Sequence, residues 1–180
     1  PLRHRLLAAI ERDRDEALAL LQEVARRPAE NPPGDTRAVA DFVVQRLTAA
    51  GVEHRVVAPN PEWPNVIATV RAGRPGKRLI FNAHMDHFPA GDPAPWTHPP
   101  YAGEIAGGQV YGRGVSDNKN GIAGFLYLAC LLHALREEEL VRRSGPRLSC
   151  KLIIIDPGRV RQYHGLITNG PAGTISESDI

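Results

Sequence analysis

His84, Asp86 and His87 close an apolar run, RLIF, in the stretch FNAHMDHFPAG at residues 81–91. In extended backbone, residues i and i+2 share a face, so His84 and Asp86 project together from the end of a strand. A neutral imidazole is a common ligand for zinc-like ions. Such a ring is usually held by a carboxylate or carbonyl on its other nitrogen. The pair therefore offers one ligand and one supporting carboxylate. In isolation, the commoner use of an HxD pair is to hydrogen-bond a turn, because a metal site needs a full ligand set.

A second stretch with chemical potential is YGRGVSDNKNGIAG, residues 111–124. Its glycines permit tight backbone. Asp117 stands just before a predicted helix, where a carboxylate also serves as an N-cap. The stretch lacks GK[ST], so it is not a phosphate-binding loop. It is out of phase with a calcium-binding EF-hand, since Lys119 stands where an oxygen ligand belongs.

Four motifs occur in order: NPPGDT before an amphipathic helix, HMDHFP, PAPWTHPPY, and GRGVSDNK opening a helix. Together they resemble the M20 family of metal-dependent amidohydrolases and peptidases, over about residues 20–155. The resemblance implies a truncated, zinc-exopeptidase-like α/β fold: a three-layer α/β/α sandwich with a mixed, mostly parallel sheet. It implies two zinc ions, with cobalt or manganese as alternatives. His84 would bind one ion and Asp117 would bridge both. Asp86 would be the supporting catalytic carboxylate, and Asp117-Asn118 would carry a cis peptide bond. The implied substrates are N-acyl amino acids or short peptides. The family is often homodimeric through a domain that has no counterpart here.

The sequence also departs from that pattern. Relatives carry an acidic pair, general base then metal ligand, after the next core strand. Here KLIII is followed by DPGRV, which puts Pro157 and Gly158 at those positions. Neither has a side chain that binds a proton or a metal. Glu137–Glu139 read as a solvated helix end and are no substitute. The expected organisation is residues 1–155 as the N-terminal part of a catalytic domain and 156–180 as a divergent tail. The expected activity of the isolated chain is low, with weak zinc binding; turnover would imply that Asp156 or His164 completes the site. The alternative is a non-catalytic metal-binding or interaction protein of the same fold. His87 and His98 read as loop histidines, Trp96 and Tyr101 as packing residues, and Arg113 as structural.

The elements that must position these residues follow from periodicity. Leu6, Leu7, Ile10, Leu18, Leu21 and Val24 predict one helix over 3–27, stopped by Pro28. Asp35 is a candidate N-cap for a second helix with Val39, Phe42, Val43 and Leu47 on one face. Strands are expected at VEHRVVA, NVIATVRA, KRLIFNA and LSCKLIII. A hairpin is expected with its turn at Gly107-Gly108, and a buried helix over about 121–141. Alternating helices and strands indicate a layered α/β domain, with the three apolar strands in its central sheet and KRLIF off any exposed edge.

Composition sets the outer limits. The 180 residues carry 22 basic against 20 acidic side chains, a formal charge of +2, with no basic stripe to suggest nucleic acid. No segment is apolar enough for a membrane span. Two cysteines without a CxxC spacing favour a reduced, cytoplasmic setting. The start at Pro1 suggests processing or a piece of a longer chain.

Overall fold

The structure, a computed structural model, describes residues 2–71, 77–135 and 148–155. The tail from 156, the acidic run Glu137–Glu139 and His164 lie outside the described residues. Among the described residues there are four α-helices: α1 (Leu2–Arg12), α2 (Arg14–Ala25), α3 (Arg37–Ala49) and α4 (Asn120–Leu135). The strands among the same residues are β1 (Glu53–Val57), β2 (Asn65–Val70), β3 (Lys77–His84), β4 (Glu104–Ala106), β5 (Gln109–Tyr111) and β6 (Leu148–Ile155).

The expected first helix is two. The break falls at Asp13 (φ −93°, ψ 13°). Its carboxylate accepts hydrogen bonds from Arg12 Nε at 2.7 Å and from the Tyr127 hydroxyl of α4 at 3.2 Å. A side chain engaged from both sides fixes the bend where periodicity alone runs on. Leu7 and Ile10 of α1 stay exposed, so only α2 delivers its apolar stripe to the core, through Leu20 and Val24. At α3 the N-cap position is Thr36, but the capping acceptor is Asp35: its Oδ1 takes the Arg37 N–H at 3.1 Å.

The main sheet has the order β1-β2-β6-β3, and β4-β5 form a separate hairpin. The hairpin turns at Gly107 (φ 57°) and Gly108 (φ 78°), two left-handed positions that suit glycine. The three apolar strands do share one sheet, but two expectations about that sheet need correction. It is mixed, yet only β3–β6 pair in parallel; β1–β2 and β2–β6 are antiparallel. Seven residues, 58–64, link β1 to β2, and a link that short returns the chain antiparallel. KRLIF is also an edge strand among the described residues, with Leu79 47% exposed. An apolar run signals burial of its faces, not which strand lies in the middle; β6 takes the inner slot.

The core joins α2, α3 and α4 to the sheet: Val24, Val43, Leu47, Val66, Ile122 and Leu126 are all fully buried. Each such side chain contributes about 1.5–3 kcal/mol through burial. Phe81 of β3 meets Phe125 of α4 with ring centroids 5.1 Å apart. That contact sets the end of β3 against the start of α4, where the two motif stretches meet. Among the described residues no helix is long and apolar enough to cross a membrane.

Candidate metal centre

His84 is the last residue of β3, and Asp117 lies in the turn between Gly114 and α4. The structure brings them together: His84 Nε2 is 2.9 Å from Asp117 Oδ1. The other ring nitrogen, Nδ1, donates to the Asp86 carboxylate at 3.1 Å and to its carbonyl at 3.0 Å. The ring is thus gripped from behind by Asp86 and faces Asp117 in front. Hydrogen bonding to Asp86 pushes His84 up to about 9 against the lowering effect of burial, and Asp117 adds to the rise. Two carboxylates that favour a proton on this ring equally favour a cation beside it. Burial works to raise Asp86, but the hydrogen bonds from His84 and Asn31 outweigh it and hold the carboxyl below its usual range.

Asp117 reaches its place through irregular backbone. Residues Val115–Lys119 form one wide turn in which Asp117 (φ −140°, ψ 89°) and Asn118 (φ −138°, ψ 33°) are not helical, and the Asp117-Asn118 peptide is cis. Gly121 makes room for this turn, because a Cβ there would stand 2.2 Å from Asn118 Oδ1. Asp117 is 80% exposed at its side chain, whereas Asp86 is 15% exposed. The first is presented to a ligand; the second is built in.

Three supports were not foreseen. Asn31 Nδ2 donates to Asp86 Oδ2 at 3.0 Å, fixing the carboxylate that fixes His84. The loop bearing Asn31 is docked by backbone: His87 N–H donates to Ala29 O, and Asn31 N–H to His87 O, both at 2.9 Å. His87 completes the dock with its ring. Nε2 accepts the Ala29 N–H at 3.0 Å, and Nδ1 donates to Phe88 O at 2.9 Å. With both nitrogens used and 4% exposure, His87 is a buried brace, and burial lowers its pKa. Lys119, fully buried, donates to Ala25 O and Arg27 O at the end of α2. Burial lowers that ammonium to about 8. The only sequence trace of these supports is that Asn31, His87 and Lys119 fall inside the NPPGDT, HMDHFP and GRGVSDNK motifs.

The residues read as structural behave so. Trp96 donates from Nε1 to Ala90 O at 3.2 Å, and the Arg113 guanidinium lies 5.1 Å from the Trp96 ring centre. The Tyr101 hydroxyl donates to Glu30; burial, then Glu30, pushes that phenol up to about 12. His98 stacks on Tyr111 and pairs with Glu104 at 3.0 Å. Beside Asp117 lies a cleft of about 210 Å³, with Phe88, Trp96, Arg113 and Ser116 in its walls. Among the described residues no group of three or more His, Cys, Asp or Glu is placed to hold a metal ion; the side chains that meet at this point with a face open to a ligand are His84 and Asp117.

Residues 80–143 match the sequence model of Peptidase family M20/M25/M40. The succinyl-diaminopimelate desuccinylase of Methylorubrum populi is 42% identical over 133 residues, covering 72% of this chain and 31% of that enzyme. The chain thus spans under a third of the length of this curated relative. The M20 family metallo-carboxypeptidase Sso-CP2 of Sulfolobus solfataricus superposes with a TM-score of 0.64 at 21% identity, over 86% of this chain and 35% of that one. A relative of a different kind is the N-acetylmuramoyl-L-alanine amidase CwlM of Mycobacterium tuberculosis: 71% identical, but over 48 residues, 27% of this chain and 12% of that protein. Residues 80–143, with their HMDHFP and GRGVSDNK motifs, are thus the part of the chain that is similar to the M20 family of metallopeptidases and amidohydrolases.

Proposed function

We propose that this chain carries the first half of a dinuclear metal site for hydrolysing the amide bond of N-acyl amino acids or short peptides. The observation behind this reading is the relay Asp86–His84–Asp117, with hydrogen-bond distances of 3.1 and 2.9 Å. Asp86 keeps the Nδ1 proton and so leaves Nε2 as the ligating atom. His84 Nε2 would hold one ion, and the exposed Asp117 carboxylate would bridge to the second. Bound metal in such a pair supplies an activated water and polarises the scissile carbonyl. The cleft beside Asp117 would take the substrate, with Ser116 offering a polar contact. We take the α/β unit as part of a three-layer sandwich, the architecture expected of an M20 catalytic domain.

Two ligands do not complete a catalytic zinc site, which usually has three protein ligands and a water. No carboxylate stands at Pro157 or Gly158 to act as base, and a positioned base contributes about 10²- to 10⁴-fold. The full 180-residue chain is therefore proposed to bind metal weakly and to turn over little. The second reading, a non-catalytic metal-binding or interaction protein, is favoured by the same Pro157-Gly158 pair.

The test is a cobalt titration of the chain followed by paramagnetic broadening in NMR, with assays on N-succinyl and N-acetyl amino acids and on dipeptides. Broadening centred on His84 and Asp117, lost in His84→Ala and in Asp117→Ala, is the expected result. Unchanged broadening in both variants removes the metal reading. Turnover that depends on both residues removes the reading that these two ligands leave the site incomplete.

A further inference from the structure

The 48-residue match to the mycobacterial amidase leads to a conclusion about descent that is independent of the metal reading. We propose that this chain joins two hydrolase lineages: M20-type through the Asp117 turn and, from within α4 onward, a segment of common descent with that amidase. A relative that shared the M20 motifs would match through them, as the desuccinylase does over 133 residues. The amidase matches over 48 only, at far higher identity, which points to a stretch clear of the motifs.

The motifs leave few places for 48 residues. Before Asn31 there are 30 residues. Between Thr36 and His84 there are 47, residues 37–83. The gaps around PAPWTHPPY are shorter still, and only residues 120–180 offer enough length, 61 positions. Any 48-residue stretch inside that window contains residues 133–167, which include all of β6 and Asp156-Pro157-Gly158. The M20 match runs to residue 143, and the shared residues 133–143 hold none of the motif positions.

The placement of β6 accords with this origin. β6 fills the slot between β2 and β3, and an inner slot asks chiefly for an apolar run. Leu152-Ile153-Ile154-Ile155 supplies one regardless of ancestry. Sheet geometry therefore accepts the strand, while residues of that descent have no reason to carry the M20 acidic pair after it. The junction accounts for Pro157 and Gly158 standing where the M20 resemblance calls for two carboxylates.

The test exchanges segments between full-length proteins. Residues 133–180 of this chain replace the matched 48 residues of the mycobacterial amidase. In parallel they replace the residues that follow the same helix in the Methylorubrum populi desuccinylase. Thermal unfolding is followed by circular dichroism. The expected result is that the amidase recipient keeps a single cooperative transition and the desuccinylase recipient loses its activity. Loss of the transition in the amidase recipient overturns the proposal. So does a desuccinylase recipient that keeps both its transition and its activity.

Discussion

Replacing Gly114 with alanine tests the contact that holds the two halves of the site in register. Gly114 has φ 76° and opens the turn that presents Asp117; its carbonyl accepts the Lys119 N–H at 2.9 Å. A Cβ added there would stand 2.9 Å from His87 Cβ, 3.1 Å from Cγ and 3.2 Å from Cδ2. The His87 ring has no room to withdraw, since it is buried and both nitrogens are engaged with the Ala29–Phe88 backbone. Gly108 provides the control: its φ is 78°, yet a Cβ there meets nothing within 4 Å. Left-handed backbone costs a non-glycine residue about 1–2 kcal/mol, and overpacking adds about 1–3 kcal/mol. Gly108→Ala is therefore expected to lose about 1–2 kcal/mol and Gly114→Ala about 2–5 kcal/mol. With a urea slope of about 1–3 kcal/mol per M, the two midpoints should differ by about 1 M. Equal midpoints would refute the claim that the glycine turn is pressed against His87.

Other outcomes follow from the same network. Asn31→Ala removes the donor to Asp86 Oδ2 and should lower stability by about 1.5–3 kcal/mol, the range for a hydrogen bond to a charged group, as read by urea unfolding. Asp86→Asn should weaken cobalt binding by about 10- to 100-fold, since it alters the group that orients a ligating imidazole, and NMR titration reads it directly. His87 has a folded pKa held below 6.5 by burial, so between that value and 6.5 the unfolded chain binds more protons than the folded one. Stability should therefore fall as pH drops below 6.5 through that window. His84, raised to about 9, gains stability over the same drop in pH, so the His87 effect is read as a difference: between pH 7.5 and 5 wild type should lose more stability, or gain less, than His87→Gln; identical pH dependence would remove His87 as the buried brace.

How much of this could be read from the sequence depends on whether the cause is local. His84 and Asp86 sit two residues apart on one strand, and Asp117 lies in a glycine-framed turn before a helix, so their spacing carried their geometry. The Gly107-Gly108 hairpin was legible for the same reason, because two left-handed residues leave a compositional mark. The break at Asp13 was not, since one of the two groups that engage its carboxylate is Tyr127, 114 residues away. Nor was the edge position of β3, because strand order is set by which runs compete for the inner slot. Asn31 escaped because its loop docks through main-chain N–H and C=O groups, which every residue has, and its one side-chain bond spans 55 residues. Lys119 is the sharpest case. A lysine in a polar turn reads as solvated, yet this one is fully buried with its ammonium on the carbonyls that end α2. Those carbonyls lack partners within the helix, and a buried cation that answers them ties the Asp117 turn to α2. The site is thus anchored by backbone groups at a helix end and in a docked loop, where side-chain patterns carry little information, and the motifs mark only the side that faces a ligand.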